Sequence, residues 1–160
     1  MPMWKLKPAC KDYLWGGELL REKYHIESDC EPLAEAWVLS CHPDGISRLA
    51  EGKMEGMTLP QAAKRYDGNF FGTRCEAFAE FPMLVKLIDA AKDLSVQVHP
   101  DDDYAHRVEH QNGKAEMWVV LEAAPDAALY YGFARPVTKE EIERGLRENT
   151  LTDLLRRVPV

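Results

Sequence analysis

The segment Leu94-Ser95-Val96-Gln97-Val98-His99 alternates apolar and polar side chains without a break. Successive side chains of an extended chain point to opposite faces. Leu94, Val96 and Val98 therefore share one side, and Ser95, Gln97 and His99 share the other. Pro100 ends the run. A second run, Lys114 to Leu121, points Lys114, Glu116 and Trp118 one way and Ala115, Met117 and Val119 the other. Asn112-Gly113 just before it is a chain-reversing dipeptide. If the two runs pair through that return, Ser95, Gln97, His99, Lys114 and Glu116 converge on one place.

Such a cluster has two readings. The polar side of an amphipathic edge strand can simply face water. Alternatively the polar side chains line a cavity, where each must be hydrogen-bonded or hold something. Imidazole, carboxylate and carboxamide together form a mixed N/O set that suits zinc or another divalent transition metal. A lysine beside the carboxylate suits an anionic ligand. Spacing alone leaves both readings open.

The rest of the chain supplies more strands and a few helices. Trp15-Gly16-Gly17 marks a tight turn. Glu35–Ser40 reads as a strand, broken at His42-Pro43-Asp44-Gly45. Thr58 caps a short helix running to about Tyr66, with Pro60 in its first turn. Met83–Ala90 is short, apolar and rich in branched residues, which predicts a buried strand. Asp101 to Asp103 cap a helical turn through about Glu109. Ala127–Gly132 is a further strand. Thr138-Lys139-Glu140-Glu141 has the form of a capping box, and Thr152–Arg156 reads as one more helical turn. Strands at short spacing with helices at the edges predict a mainly β chain, an antiparallel sandwich or jelly roll with peripheral helices.

Composition limits what such a chain does. With 160 residues it fits one domain and needs neither disulfide nor metal to fold. Its net charge of −7 argues against nucleic acid or an anionic membrane as the main partner. A small anionic substrate stays open, because a pocket sets its own local charge. Cys10, Cys30, Cys41 and Cys75 match no zinc-finger or redox spacing and read as reduced thiols. Met1–Pro8 lacks a signal-peptide core, and no apolar run reaches membrane-spanning length, so a cytoplasmic location is expected. The triple aspartate reads as helix capping, the pair His106 and His110 as exposed histidines, and most tryptophans as packing residues.

Three stretches together resemble type I mannose-6-phosphate isomerase, a zinc-dependent cupin family. They are Phe81–Ala90, Leu94–Asp102 with its Leu-Ser-Val-Gln-Val-His-Pro core, and Gly113-Lys114-Ala115-Glu116-Met117-Trp118. Trp15-Gly16-Gly17, Glu35–Ser40 and Tyr130-Tyr131-Gly132 resemble the shorter bacterial members, so the likeness runs from about Lys7 to the last residue. The resemblance implies a single cupin-type domain over residues 1–160, C-terminally truncated relative to the family and possessing an incomplete sandwich. It implies one zinc ion held by Gln97, His99 and Glu116, with Ser95 and Lys114 lining the substrate pocket and Lys86 as a further pocket residue. The implied reaction interconverts mannose 6-phosphate and fructose 6-phosphate through an enediol or enediolate. The implied partner is a small sugar phosphate, with oligomeric state left open. A further ligand histidine and a catalytic arginine are expected beyond Val160, and no general base is identified. The alternative is a non-catalytic cupin module that binds metal and sugar phosphate.

Overall fold

The computed structural model describes residues 3–66 and 69–160; Met1, Pro2, Asp67 and Gly68 lie outside the described residues. The chain forms two compact units, residues 1–94 and 95–160. All strand pairs are antiparallel.

The first unit is organised around one strand. In chain order its elements are β1 (Leu6–Lys7), β2 (Ala9–Lys11), α1 (Leu19–Glu22), β3 (Glu35–Leu39), β4 (Arg48–Leu49), α2 (Leu59–Arg65) and β5 (Val85–Ile88). β3 is paired on both edges, to β2 and to β5, while β1 pairs with β4. The expected strand at Glu35–Ser40 and the expected helix after Thr58 are both present. Thr58 Oγ1 accepts from the Gln61 N–H, and Gln61 Oε1 accepts from the Thr58 N–H, so two otherwise orphaned donors are satisfied reciprocally. The Met83–Ala90 stretch yields β5 over its middle, but Val85 is exposed and the other three residues are half-buried. Only one side of that strand meets the core, which is why an apolar run overstated its burial.

The two faces of the β2–β3–β5 sheet differ sharply. Cys10, Ala36 and Leu87 are mutual cross-strand partners and face a core of Leu20, Leu33 and Ala36. The opposite face carries Lys11 beside Glu35, and Trp37 beside Lys86. The Glu35 carboxylate is buried, 6% exposed. It accepts the Trp37 indole N–H at 2.6 Å and pairs with the Lys86 ammonium at 3.1 Å. Lys86 Nζ lies 4.5 Å from the Trp37 ring centroid and Lys11 Nζ 4.8 Å. The chain break at Gly45 folds over this face. A Cβ at Gly45 would sit 2.6 Å from the Trp37 ring, so only glycine allows the approach. A second cluster, Leu49, Met54 and Ala62, is closed by Trp4, Tyr66 and Phe70, with Trp4 stacked on Phe70 at 5.7 Å.

The second unit contains α3 (Asp102–Tyr104), which continues as a π-turn over Ala105–Glu109, then β6 (Ala128–Phe133), α4 (Lys139–Glu148), a 3-10 turn at Leu151–Leu154 and β7 (Leu155–Pro159). Asp101 caps α3 through the Tyr104 N–H at 2.9 Å, as expected of the aspartate run. β6 pairs with β7. The helical turn expected at Thr152–Arg156 is therefore half right: it ends at Leu154, and Arg156 belongs to a strand. α4 starts at the expected capping box, with Thr138 Oγ1 accepting from the Glu141 N–H at 3.2 Å and Glu141 Oε2 accepting from the Thr138 N–H at 2.8 Å. Arg135 grips the same carboxylate with two bonds of 2.7 and 3.3 Å.

Two expected strands do not form. Neither Leu94–His99 nor Lys114–Leu121 takes part in a strand ladder. Alternation supplies the faces of a strand, but a strand also needs a neighbour for its N–H and C=O groups. Among the described residues no segment pairs with either run, and they do not pair with each other. Their apolar side is correspondingly open: Val98 is 91% exposed and Met117 86%.

Three outcomes are expected. Glu35→Gln keeps an acceptor for the indole but removes the charge opposite Lys86, so urea denaturation should show a loss of about 2 kcal/mol or more. Adding Lys86→Met should recover more than half of it; strictly additive losses would show that the two residues are uncoupled. Thr138→Ala should cost about 1 kcal/mol in the same measurement, with faster amide exchange in the first turn of α4. The Arg135 fork and the Thr138 N–H hold the Glu141 carboxyl down at about 2. Its folded value lies below the unfolded one, so its stabilisation is complete above the ordinary value of 4.5 and is lost as pH falls from there to about 2. Exchange at the first turn of α4 should accelerate over that window.

Candidate active site

The polar cluster lies at the start of the second unit and is set by turns rather than by a sheet. Gly113 makes it possible. A Cβ there would lie 2.5 Å from the Asp102 nitrogen, so the Asn112-Gly113 return passes directly against the first turn of α3. The Gly113 N–H donates to Asp102 Oδ1 at 2.8 Å, and the Lys114 N–H to the Pro100 carbonyl at 3.1 Å. That single backbone bond brings the residues after Gly113 alongside those before Pro100.

Three of the expected side chains meet there. His99 Nε2 is 3.0 Å from Glu116 Oε2. Lys114 Nζ is 2.8 Å from Glu116 Oε1 and 3.2 Å from His99 Nε2. The other two pair with each other: Gln97 donates its side-chain N–H to Ser95 Oγ at 3.2 Å. The side chains of His99 and Glu116 are 26% and 29% exposed, so the cluster is reachable from solvent. Lys86 belongs to the first unit, where it is engaged by Glu35 and Trp37.

The carboxylate of Glu116 is the electrostatic centre. Partial burial raises its proton affinity, but hydrogen bonds from Lys114 and the Trp118 side chain, the Lys114 charge and the His99 contact outweigh this. The net result is a carboxyl lowered to about 2, fully ionised at neutral pH. Trp118 takes part as well, although the sequence offered it no role at the site and most tryptophans read as packing residues. Its place two residues after Glu116, on the same side of an extended chain, was the available signal.

The donor chemistry fits a divalent cation. Two atoms bound tetrahedrally to one zinc at about 2.0–2.2 Å stand roughly 3.3–3.6 Å apart, somewhat more than the 3.0 Å hydrogen-bond separation of His99 Nε2 and Glu116 Oε2. Gln97 carries a neutral carboxamide oxygen, but its side-chain contact is with Ser95 and not with this pair. The counted set is thin, however: among the described residues no three His, Cys, Asp or Glu side chains gather around one point. His106 is not a substitute, since its Nε2 is engaged by Asn112 Oδ1 at 3.1 Å. A hollow of about 390 Å³ in this unit is lined by Val96, Leu146, Asn149, Leu151 and neighbours, and by none of the five polar side chains. No described helix is long and apolar enough to cross a membrane.

Comparison with known proteins assigns this arrangement to a family. The profile of the phosphomannose isomerase type I catalytic domain matches residues 3–118, which includes all six residues singled out from the sequence. The chain is 39% identical to a probable mannose-6-phosphate isomerase, GmuF, of Bacillus subtilis over 97% of its own length. It is 37% identical to mannose-6-phosphate isomerase ManA of the same organism over 96% of its length. The crystal structure of the mannose 6-phosphate isomerase from Bacillus subtilis superposes with a TM-score of 0.82 at 31% identity, covering 98% of this chain and 49% of that one. The chain thus spans about half the length of the curated relatives it matches, 48% of both GmuF and ManA. By the profile match across the polar cluster and by these likenesses, the chain belongs to the type I phosphomannose isomerase family.

Proposed function

We propose that this chain carries the metal- and substrate-binding half of a mannose-6-phosphate isomerase. The observation that carries the reading is the contact of His99, Lys114 and Glu116 within a segment matched by the family's catalytic-domain profile. Relatives named mannose-6-phosphate isomerase support the substrate class. The protein is read as a soluble, cytoplasmic enzyme acting on a small sugar phosphate, in a single cupin-type domain shared with the remaining length of the family chain.

The chemistry moves a proton between C2 and C1 of the sugar, turning an aldose into a ketose through an enediol or enediolate. Negative charge develops on the sugar oxygens during that transfer. Gln97, His99 and Glu116 would hold one zinc ion. When bound, zinc would act as a Lewis acid toward those oxygens. Lys114 is an ammonium donor beside the same donors and would hydrogen-bond a developing oxyanion. Glu116 is a poor candidate for the general base, because a carboxyl lowered to about 2 has little proton affinity at neutral pH. Ser95 would line the substrate pocket, and by accepting the Gln97 side-chain N–H it leaves the carboxamide oxygen available as a donor.

The half-length match favours a second reading, a module that binds metal and sugar phosphate without turnover. A coupled assay on mannose 6-phosphate with zinc supplied, run beside full-length ManA, separates the two. Conversion by this chain supports the enzyme; bound zinc and sugar phosphate with no conversion supports the module; absence of both removes each. His99→Ala and Glu116→Gln are expected to weaken zinc binding at least about tenfold in a competition titration with a chelating dye. Unchanged affinity in both variants would overturn the ligand assignment.

A further inference from the structure

We propose that Asp102 is a positioning residue of the candidate site: its carboxylate fixes the Asn112-Gly113 return, and the return delivers Lys114 and Glu116 to His99. That role rests on His99, Lys114 and Glu116 being the working groups of the proposed isomerase. Asp102 acts through the backbone, with Oδ1 accepting the Gly113 N–H at 2.8 Å, 11 residues along the chain. The helix-capping role that a run of three aspartates suggests is filled by its neighbour. Asp101 Oδ1 already accepts the Tyr104 N–H at 2.9 Å. Asp102 is thus not needed as the cap, and the donor its carboxylate meets is Gly113.

Consecutive residues of the return, Gln111 to Lys114, are each tied to the segment that follows His99. The Gln111 N–H donates to the Ala105 carbonyl at 3.4 Å, and the Lys114 N–H to the Pro100 carbonyl at 3.1 Å. Between them, His106 Nε2 donates to Asn112 Oδ1 at 3.1 Å, and the Gly113 N–H to Asp102. The outer bonds use only backbone atoms and can form with any non-proline residues in place. The inner bonds depend on side chains, so they select this return over other closures of the same loop. Of these, the Asp102 bond is the shorter and has a carboxylate acceptor, which makes it the stronger. It also lies one residue before Lys114, whose ammonium meets Glu116 at 2.8 Å and His99 at 3.2 Å.

The passage at Gly113 leaves little slack. A Cβ there would stand 2.5 Å from the Asp102 nitrogen, 2.6 Å from the Asp101 carbonyl carbon and 2.9 Å from the Pro100 oxygen. A backbone N–H pressed against another segment needs a partner, and without one the chain takes a different path. Removing the Asp102 acceptor would let the return open and carry Lys114 and Glu116 away from His99. Such a change alters no atom of the three working side chains, so its effect reaches them only through their placement. Asp102 and Asp103 are both exposed, and replacing either leaves the two buried cores untouched.

The test is amide hydrogen exchange and imidazole nitrogen NMR on the metal-free chain and on Asp102→Ala, Asp102→Asn and Asp103→Ala. In Asp102→Ala the Gly113 and Lys114 amides should exchange at least about fivefold faster, the scale of one hydrogen bond. The His99 Nε2 resonance should move toward its position in Glu116→Ala, where the contact is lost. Asp102→Asn keeps an oxygen acceptor without the charge, so exchange should return to within about twofold of the unaltered chain and the resonance should return with it. Asp103→Ala should change neither. Unaltered exchange and resonance in Asp102→Ala would overturn the proposal. So would an asparagine variant as perturbed as the alanine one, which would make the effect one of charge. In a cobalt(II) titration followed by visible absorption, Asp102→Ala should bind about fivefold more weakly. Absence of cobalt binding by the unaltered chain would remove the ligand reading of Gln97, His99 and Glu116, while exchange and resonance would still decide the positioning role.

Discussion

One buried carboxylate governs the first unit. Glu35 stands on the strand that is paired on both edges, and its oxygen receives both the Trp37 indole and the Lys86 ammonium. A carboxylate left alone at that depth would cost several kcal/mol of desolvation. Paired, it turns a lysine, an indole and a second lysine at Lys11 into one satisfied polar layer. The sheet can then bury both faces, one on leucine and alanine, the other on a charged and aromatic cluster sealed by the close passage of Gly45. Lys86 is fixed by this arrangement whatever else it contacts: its charge is balanced and its stem lies against the indole ring.

The second unit uses the same economy of charge in the open. His99, Lys114 and Glu116 form a triangle in which the carboxylate carries the negative charge and the ammonium satisfies it. The Lys114 ammonium thus meets both the carboxylate and the imidazole. Ionisation of Glu116 far below neutrality keeps its carboxylate charged at neutral pH.

Local chemistry was read well from the residues. The two capping boxes, at Thr58 and Thr138, and the Asp101 cap each depend on side chains within three positions of one another, so short-range pattern suffices. β3 was equally legible, because its turn at His42–Gly45 is written in adjacent residues. Glu35 was not. A glutamate at the head of an apolar strand looks solvated until its partner, fifty residues on, is placed beside it by the β3–β5 register. The half-exposed state of β5 is hidden for the same reason: burial is a property of what lies across the strand.

The candidate site shows which part of an alternating pattern is robust. The expectation placed Gln97, His99, Lys114 and Glu116 on two paired strands; the ladders are absent, yet three of those four side chains still touch. What brings them together is a short-range device, the Gly113 return held by Asp102 and the Lys114–Pro100 backbone bond. A ladder would need a neighbour for every second residue along each run, and such a neighbour is a long-range feature that alternation does not specify. The polar faces therefore survive where a turn pins them, at His99 and Glu116. The apolar faces, which depend wholly on a partner, stand open at Val98 and Met117. Ser95 and Gln97 lie farther from the turn than His99 and pair only with each other, as expected if proximity to Gly113 decides which polar residues converge.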